Sequence, residues 1–508
     1  MRRRTHIQYI AHDVGSILLI VAFISLVPYL IIFLFEEWDQ ILPFTTVPLT
    51  LFVCGFFLSR VPFDEAYSPP LSVAMLMVAM LWLSSALVGS LPFIVHAHLS
   101  LTDSLFEAMS GFTGTGLTLI ADVAALPKTL LFWRSYMEWI GGIGIMAIGI
   151  TMQRKTRMTQ SFFMRSEGQM EALGPNVVDT AKIFLKIYVS LTFFFSFVFL
   201  SAGISYWDAL HIAMCSIGTG GFVMHSAGIS YYDNALLEIL IIPAMLCGSI
   251  PFKLYILFGI GNFTEILKSK AAKAIIGCAA LGSLITSVDL YIYNQYPLFQ
   301  AVREGVFCSV SAMTNTGFQN ADLTMWLAPP VLLLMLLMTM SGSIGSTAGG
   351  IKVDRFILAA KGMRWWIMQY FVKESKNKTR THHGHRIADR DAEFELVRNM
   401  VFIVMYLVVL FVAIIVALQI SAPSIPLHAM VFDLVSAMSN VGLSFGYLSA
   451  ASPLSLKWLY IFLMWIGRLE IVPFIILMAS LLYGFDYRVK HDVQKKSKPK
   501  PKKPKNRV

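Results

Sequence analysis

The chain of 508 residues is 56% hydrophobic and only 14% charged, against a charged fraction of about 25% in ordinary soluble domains, which excludes a soluble globular fold. Its five cysteines, Cys54, Cys215, Cys247, Cys278 and Cys308, are odd in number, lie in apolar or re-entrant stretches and lack metal-ligand spacing, so no disulfide framework or zinc site is implied. The net charge of +10 looks like a nucleic-acid signature until its distribution is read.

The first apolar run, 15–35, is about as long as a bilayer is thick. It lacks a small-residue cleavage site and gives way to Glu36-Glu37-Trp38-Asp39, so it reads as a retained span rather than a secretory signal. Membrane-length apolar segments follow the same logic at 14–35, 45–60, 71–95, 130–151, 181–204, 234–258, 273–293, 326–350, 396–420 and 456–484. Four stretches between them, 103–112, 208–217, 304–313 and 429–438, are too short to cross and predict re-entrant half-membrane helices.

Each short stretch runs into one motif. The copies are Thr113-Gly114-Thr115-Gly116-Leu117, Gly218-Thr219-Gly220-Gly221-Phe222, Thr314-Asn315-Thr316-Gly317-Phe318 and Ser439-Asn440-Val441-Gly442-Leu443. All share a small residue, two variable positions, Gly, then Leu or Phe. Such internal repetition sets the architecture. Counted back from each motif glycine, an acid stands in the same place in three copies (Asp103, Asp208, Glu304), and Ala429 breaks the pattern; a second glycine follows at Gly142, Gly248, Gly342 and Gly467. The unit is span, short helix, glycine loop, span.

With the amino terminus in the cytoplasm, 35 of the 40 Lys and Arg residues fall on the inside, Lys128, Arg134, Arg303 and Lys457 fall outside, and Arg468 stands alone in an apolar interior. Positive charge held in the cytoplasm orients spans. Both termini are therefore expected inside, and all four glycine loops face outward.

Non-helical backbone is tolerated in the hydrocarbon region only where protein shields it or where it lines a water-filled cavity. Four loops from one chain can ring an axis, and converging carbonyls can replace a cation's hydration shell. Glycine reaches the backbone angles that turn a carbonyl inward, and the negative carboxyl ends of the short helices favour a cation there. One such glycine is ordinarily a turn or a packing site; four in the same slot point to conduction. Asp103, Asp208 and Glu304 are expected at or near the amino ends of the short helices, where an acid caps free N–H groups with cation attraction as a second benefit.

These loops, with Trp139-Ile140-Gly141-Gly142-Ile143-Gly144, Gly345-Ser346-Thr347-Ala348-Gly349-Gly350-Ile351-Lys352 and Gly467-Arg468-Leu469-Glu470-Ile471, together resemble the TrkH branch of the Trk/Ktr/HKT potassium transporters over nearly the whole chain. The resemblance implies an all-α polytopic membrane protein with four pseudo-fourfold span, pore-helix, span repeats around a central pore and two extra amino-terminal helices. The expected divisions are 1–68 for the helix pair, 69–160, 161–268, 269–375 and 376–487 for the repeats, and 488–508 for a disordered basic cytoplasmic tail.

It implies K+ as the transported ion, held by carbonyls at Thr113, Gly218, Thr314 and Ser439 and the adjacent positions, with filter glycines Gly116, Gly221, Gly317 and Gly442. It further implies a membrane homodimer in the bacterial inner membrane and a cytoplasmic ring of TrkA-type regulatory subunits that carries ATP/ADP or NAD(H). No organic cofactor is expected in this chain. Relatives with Ser at the first filter position tend to pass sodium, and this chain has Gly116 there.

The stretch containing Gly342, Ser343, Gly345, Ser346, Thr347, Ala348, Gly349 and Gly350 interrupts the eighth span, and each Gly costs a helix about 1 kcal/mol relative to Ala. An unwound, movable segment is expected, and by resemblance it is a gate below the filter, ending at Lys352; a small-residue packing face is the alternative. Arg468 is a functional candidate by its depth, with Glu470 able to offset its charge, or else a structural ion pair.

His382, His383 and His385 permit a metal site but sit in a basic loop that reads as solvated and, by resemblance, near the regulatory ring. The Lys/Pro-rich tail is expected to be disordered and drawn to anionic lipid, with nucleic acid excluded by its tether to a membrane. A secondary transporter, including a proton- or sodium-coupled potassium symporter, is the alternative function. No nucleophile or paired carboxylates at usable spacing favour an enzyme.

Overall fold

The computed structural model describes residues 2–63, 71–144, 177–259, 268–371, 380–382, 385–387, 389–420, 426–469 and 471–483. In chain order the helices are α1 (Arg2–Ile24), α2 (Pro28–Phe35), α3 (Ile41–Ser59), α4 (Leu71–Gly89), α5 (Leu91–Val95), α6 (Leu101–Thr113), α7 (Lys128–Ile143), α8 (Val177–Leu200), α9 (Tyr206–Gly218), α10 (Ala235–Ser249), α11 (Lys253–Gly259), α12 (Lys270–Ile292), α13 (Leu298–Thr314) and α14 (Ala328–Thr339). Strands β1 (Met340–Ser341) and β2 (Ile351–Lys352) precede α15 (Val353–Phe371); β3 (Arg380–His382) and β4 (His385–Ile387) precede α16 (Asp389–Ile420), α17 (Leu427–Ser439), α18 (Leu454–Leu469) and α19 (Val472–Tyr483).

The expected all-α membrane fold holds, with two small strand pairs added. Six segments among the described residues are long and apolar enough to cross a membrane: His6–Phe35, Trp38–Ser59, Val73–Val95, Lys182–Leu200, Lys270–Ile292 and Leu396–Ile420. The other four expected spans are the second helices of the repeats, and here the structure corrects the sequence reading. They run only 16, 15, 12 and 16 residues as α7, α10, α14 and α18. Each stops at an interruption: Gly144, Ile250-Pro251, Met340, and a bend of 111° between α18 and α19. Hydropathy continues through these breaks, so composition alone reads α7, α10 and α18 as the starts of whole spans; the interruption after α14 is the one that the Gly/Ser-rich stretch predicts.

The short helices are α6, α9, α13 and α17. Ser100 caps α6 and Ser205 caps α9, each hydroxyl accepting the N–H of Asp103 or Asp208 at 3.1 Å and donating back to that carboxylate at 2.8 and 2.7 Å. Each Ser is an N-cap whose hydroxyl, rather than its backbone N–H, is taken by the Asp carboxylate, so the two acids do sit in the first turn. Glu304 does not. Helix α13 begins earlier, at Leu298, and places Glu304 well inside, where it accepts from Gln300 Nε2 at 2.7 Å.

Each short helix packs on the second helix of its own repeat and on that of the repeat before it: α9 on α7, α13 on α10, α17 on α14, and α6 on α18, which closes the circle. Glycine makes the close crossings possible. A methyl group on Gly248 would stand 2.9 Å from Ile217 O, and one on Gly141 or Gly467 would collide with Phe112 O or Met438 O. Gly142 holds the matching register in repeat 1, but the crossing there belongs to Gly141, while Gly142 faces the Cα of Gly218 (2.8 Å to an added methyl). Gly342 also departs, since α14 ends before it and it packs against Ser249 O and Ala348.

Candidate functional site

The four glycine loops meet. At the end of each short helix one residue takes the left-handed conformation: Gly114 (φ 66°), Thr219 (50°), Asn315 (56°) and Asn440 (55°). Two positions on, the motif glycines have φ of 81° at Gly116, 134° at Gly221, 78° at Gly317 and 103° at Gly442. The repeats thus share one backbone path, and its second positive φ requires glycine.

A methyl group built on Gly116 would lie 3.0 Å from Gly220 O and from the Cα of Gly221; one on Gly221 would lie 2.6 Å from Thr316 O. One on Gly317 would strike Val441 O, and one on Gly442 would strike Thr115 O. Repeat 1 therefore abuts repeat 2, 2 abuts 3, 3 abuts 4 and 4 abuts 1, with a main-chain oxygen at every contact. Thr113, Thr115, Gly218, Thr219, Thr314, Asn315, Thr316, Ser439, Asn440 and Val441 are all buried around this ring.

Side chains lock adjoining quarters together. Asn315 Nδ2 donates to Ser439 O at 2.7 Å, and Asn440 Nδ2 donates to Thr115 Oγ1 at 3.0 Å and Met464 O at 2.8 Å. Thr113 and Thr115 share a hydroxyl contact of 2.7 Å, repeated at 2.8 Å by Thr314 and Thr316. Ser439 Oγ meets Tyr406 Oη at 2.7 Å.

A layer of buried carboxylates stands behind the loops, and the sequence reading missed it. Glu107 Oε1 accepts from Leu119 N at 2.6 Å and Thr118 Oγ1 at 2.8 Å, while Oε2 lies 3.5 Å from Arg134 Nε. Asp433 accepts from Phe445 N at 2.7 Å, Tyr447 N at 3.1 Å and Ser444 Oγ at 2.8 Å. Glu138 takes the N–H groups of Gly221 and Phe222. Glu238 holds Asn320 Nδ2 at 2.8 Å and pairs with Arg303 at 2.8 Å. The signal was available: Glu107 and Asp433 occupy one register position, nine residues before their glycines. Arg134 is 2% exposed, stacks 4.0 Å over Phe222 and donates to Val223 O. Glu107→Gln is expected to destabilise the protein by about 3 kcal/mol, because it strands a buried cation; a lowered thermal midpoint in detergent checks this.

Below the ring, residues 340–352 form a closed loop in which β1 and β2 pair in parallel, Met340 with Ile351 and Ser341 with Lys352. The loop touches repeats 2 and 4 directly. Thr347 Oγ1 donates to Ile217 O at 2.9 Å and stands 3.1 Å from Thr219 Oγ1; Ser343 N donates to Ser249 O at 3.0 Å. Methyl groups on Gly349 and Gly350 would lie 2.9 and 3.3 Å from Ser439 O. Gly345 (φ 81°) turns its carbonyl to Phe252 N at 3.0 Å, Ser346 Oγ donates to Ser343 O at 2.7 Å, and Lys352 Nζ donates to Ala348 O. Lys352, counted with the cytoplasmic charges, is buried. Arg468 bridges this loop to repeat 1, donating to Thr347 O at 2.8 Å and Gly141 O at 2.6 Å. Glu470 lies outside the described residues, as do His383 and the basic tail.

The five cysteines are unpaired. No group of three metal-ligating side chains occurs among the described residues.

A multi-pass helical protein with four glycine loops closed into a ring over an intramembrane loop is a membrane transport protein of the four-repeat cation class. The comparisons agree. The family profile for TrkH, described as a cation transport protein, matches residues 51–273 and 282–483. The chain belongs to that family. It is 30% identical over 479 residues to an uncharacterized cation transporter of Methanocaldococcus jannaschii, covering 94% of this chain and 96% of that one. It is 28% identical to the Trk system potassium uptake protein TrkH of Vibrio parahaemolyticus, covering 92% and 98%. The crystal structure of the potassium transporter TrkH from Vibrio parahaemolyticus superimposes with a TM-score of 0.81 at 25% identity, covering 94% of this chain and 99% of that one.

Proposed function

We propose that this chain takes up potassium across the bacterial inner membrane through a filter of main-chain carbonyls contributed by the four glycine loops. The observation that carries this reading is the closed circle of Gly116, Gly221, Gly317 and Gly442, each against a carbonyl of the next repeat. Such oxygens offer a dehydrated monovalent cation what water offered it. K+ is held by carbonyls around Thr113, Gly218, Thr314, Ser439 and their neighbours. The names of the Vibrio relatives support potassium as the ion.

In this reading residues 342–352 gate the path from beneath, and Arg468 holds the gate against repeats 1 and 4. The loop passes directly into α15, and Ile344 N donates to Asp354 Oδ2 of that helix at 2.8 Å, so a displacement of α15 reaches the loop. A cytoplasmic nucleotide-binding partner of the TrkA type, a homodimeric assembly and cytoplasmic termini complete the proposal.

Purified protein in liposomes is expected to carry K+ down its gradient in preference to Na+. Growth of a uptake-deficient bacterium at low potassium should be restored by its expression. Flux that appears only when a proton or sodium gradient is imposed would favour a coupled symporter, and absence of potassium flux with either gradient would overturn the proposal.

A further inference from the structure

Loop 2 differs from the other three. Where loops 1, 3 and 4 carry Thr115, Thr316 and Val441 just before the motif glycine, loop 2 carries a second glycine, Gly220. The space a side chain would fill there is taken by Glu138: a methyl group on Gly220 would run into its carboxylate. Glu138 arrives on α7, from repeat 1, and is fully buried. Its Oε2 accepts Gly221 N at 3.0 Å and Phe222 N at 3.1 Å, and its Oε1 lies 3.2 Å from Phe222 N.

A trans peptide unit is planar, so its N–H and C=O point in opposite directions. Pulling Gly221 N outward turns Gly220 O inward, and pulling Phe222 N outward turns Gly221 O inward. Gly220 O is the oxygen that lies against Gly116 of the adjoining loop. One carboxylate therefore aims two successive carbonyls.

Loop 4 solves the same problem with a hydroxyl. Ser436 Oγ, six residues before Gly442, accepts Gly442 N at 3.0 Å. The corresponding positions are Ser110 and Ser311 in repeats 1 and 3, whose hydroxyls make no such bond, and Cys215 in repeat 2. A thiol is a weak acceptor, and repeat 2 alone has recruited an acid in its stead.

We infer that Glu138 is a positioning residue for ion selection, which holds the Gly220 and Gly221 carbonyls toward the axis and sets the affinity of that quarter of the filter for a dehydrated monovalent cation. The inference rests on the proposed potassium reading and adds a residue from outside the four motifs. Hydrogen bonds to a charged acceptor are about twice as strong as those to a neutral one, and an amide in place of the carboxylate leaves one neutral acceptor for both N–H groups and sets a donor where Oε1 now faces Phe222 N.

The test is concentration-dependent K+ and Na+ flux through liposomes containing wild-type protein, Glu138→Gln, Cys215→Ser, and the double variant. Glu138→Gln is expected to raise the half-saturating K+ concentration about tenfold and to lower the K+ over Na+ ratio, with the maximal rate reduced less. Cys215→Ser in that background, which supplies the hydroxyl that Ser436 provides in loop 4, is expected to recover part of both. An unchanged half-saturation and ion ratio in a Glu138→Gln protein that elutes as a single species would overturn the inference while leaving the potassium reading intact. Loss of flux without rescue by Cys215→Ser, in a protein with a lowered thermal midpoint, would assign Glu138 to folding and also overturn it. If the wild type passes no K+, the proposed function itself fails.

Discussion

Alanine at Gly317 is expected to abolish potassium uptake, and the four motif glycines should tolerate alanine in a fixed order. Two costs combine at each. A side chain at positive φ is strained by roughly 1–2 kcal/mol, and the added methyl collides with the next repeat. The collision is worst at Gly317, against Val441 O, then at Gly442, against Thr115 O; it eases at Gly221, 2.6 Å from Thr316 O, and is least at Gly116, 3.0 Å from its nearest atoms. The colliding atoms are backbone oxygens on the ring itself, so relief of the clash displaces the groups that would bind the ion. Uptake by Gly116→Ala is therefore expected to survive best. Gly116→Ser should keep measurable flux with reduced preference for K+ over Na+. Initial-rate rubidium or potassium uptake with matched expression checks the series. Equal activity across the four variants, or undiminished selectivity in Gly116→Ser, would contradict the ring as the selecting element.

Removing the guanidinium of Arg468 is expected to raise flux. Its two donors hold Thr347 O at 2.8 Å and Gly141 O at 2.6 Å, and nothing in an alanine replaces either. Each such charge-assisted bond contributes about 1.5–3 kcal/mol; losing even the weaker estimate shifts a two-state loop by roughly tenfold toward release. Arg468→Ala in liposomes, without any cytoplasmic partner, should thus conduct faster than wild type. Arg468→Lys should fall between the two, since a single ammonium on a flexible stem lacks the fixed fork that spans both carbonyls. Currents equal to wild type in Arg468→Ala would remove the residue from the gate.

The repeat was legible because it is written in local terms. Short apolar helices and glycines at positive φ both leave marks within a few residues, and the structure ends α6, α9, α13 and α17 within two residues of the limits read from the sequence. The breaks in α7, α10 and α18 were not legible, because a bent helix in a membrane keeps the hydropathy of a straight one; the one after α14 was, because its glycines and serines mark it in the sequence. Glu304 misled for a related reason: register placed it level with Asp103 and Asp208, but Pro297 starts α13 earlier and moves its amino end away. The buried acids were hidden by distance in the chain. Glu138 lies in one repeat and serves the loop of the next, and Glu238 reaches Asn320 across 82 positions. Such pairings are set by which helix packs on which, a property of the assembled circle.

That circle is drawn by one polypeptide, with each quarter encoded separately. In a channel of four identical subunits a point mutation is imposed everywhere at once, whereas here a codon change alters a single quadrant and leaves three as they were. Selectivity can then drift by small, viable increments, and a carboxylate such as Glu138 can arise behind one loop without being copied behind the other three.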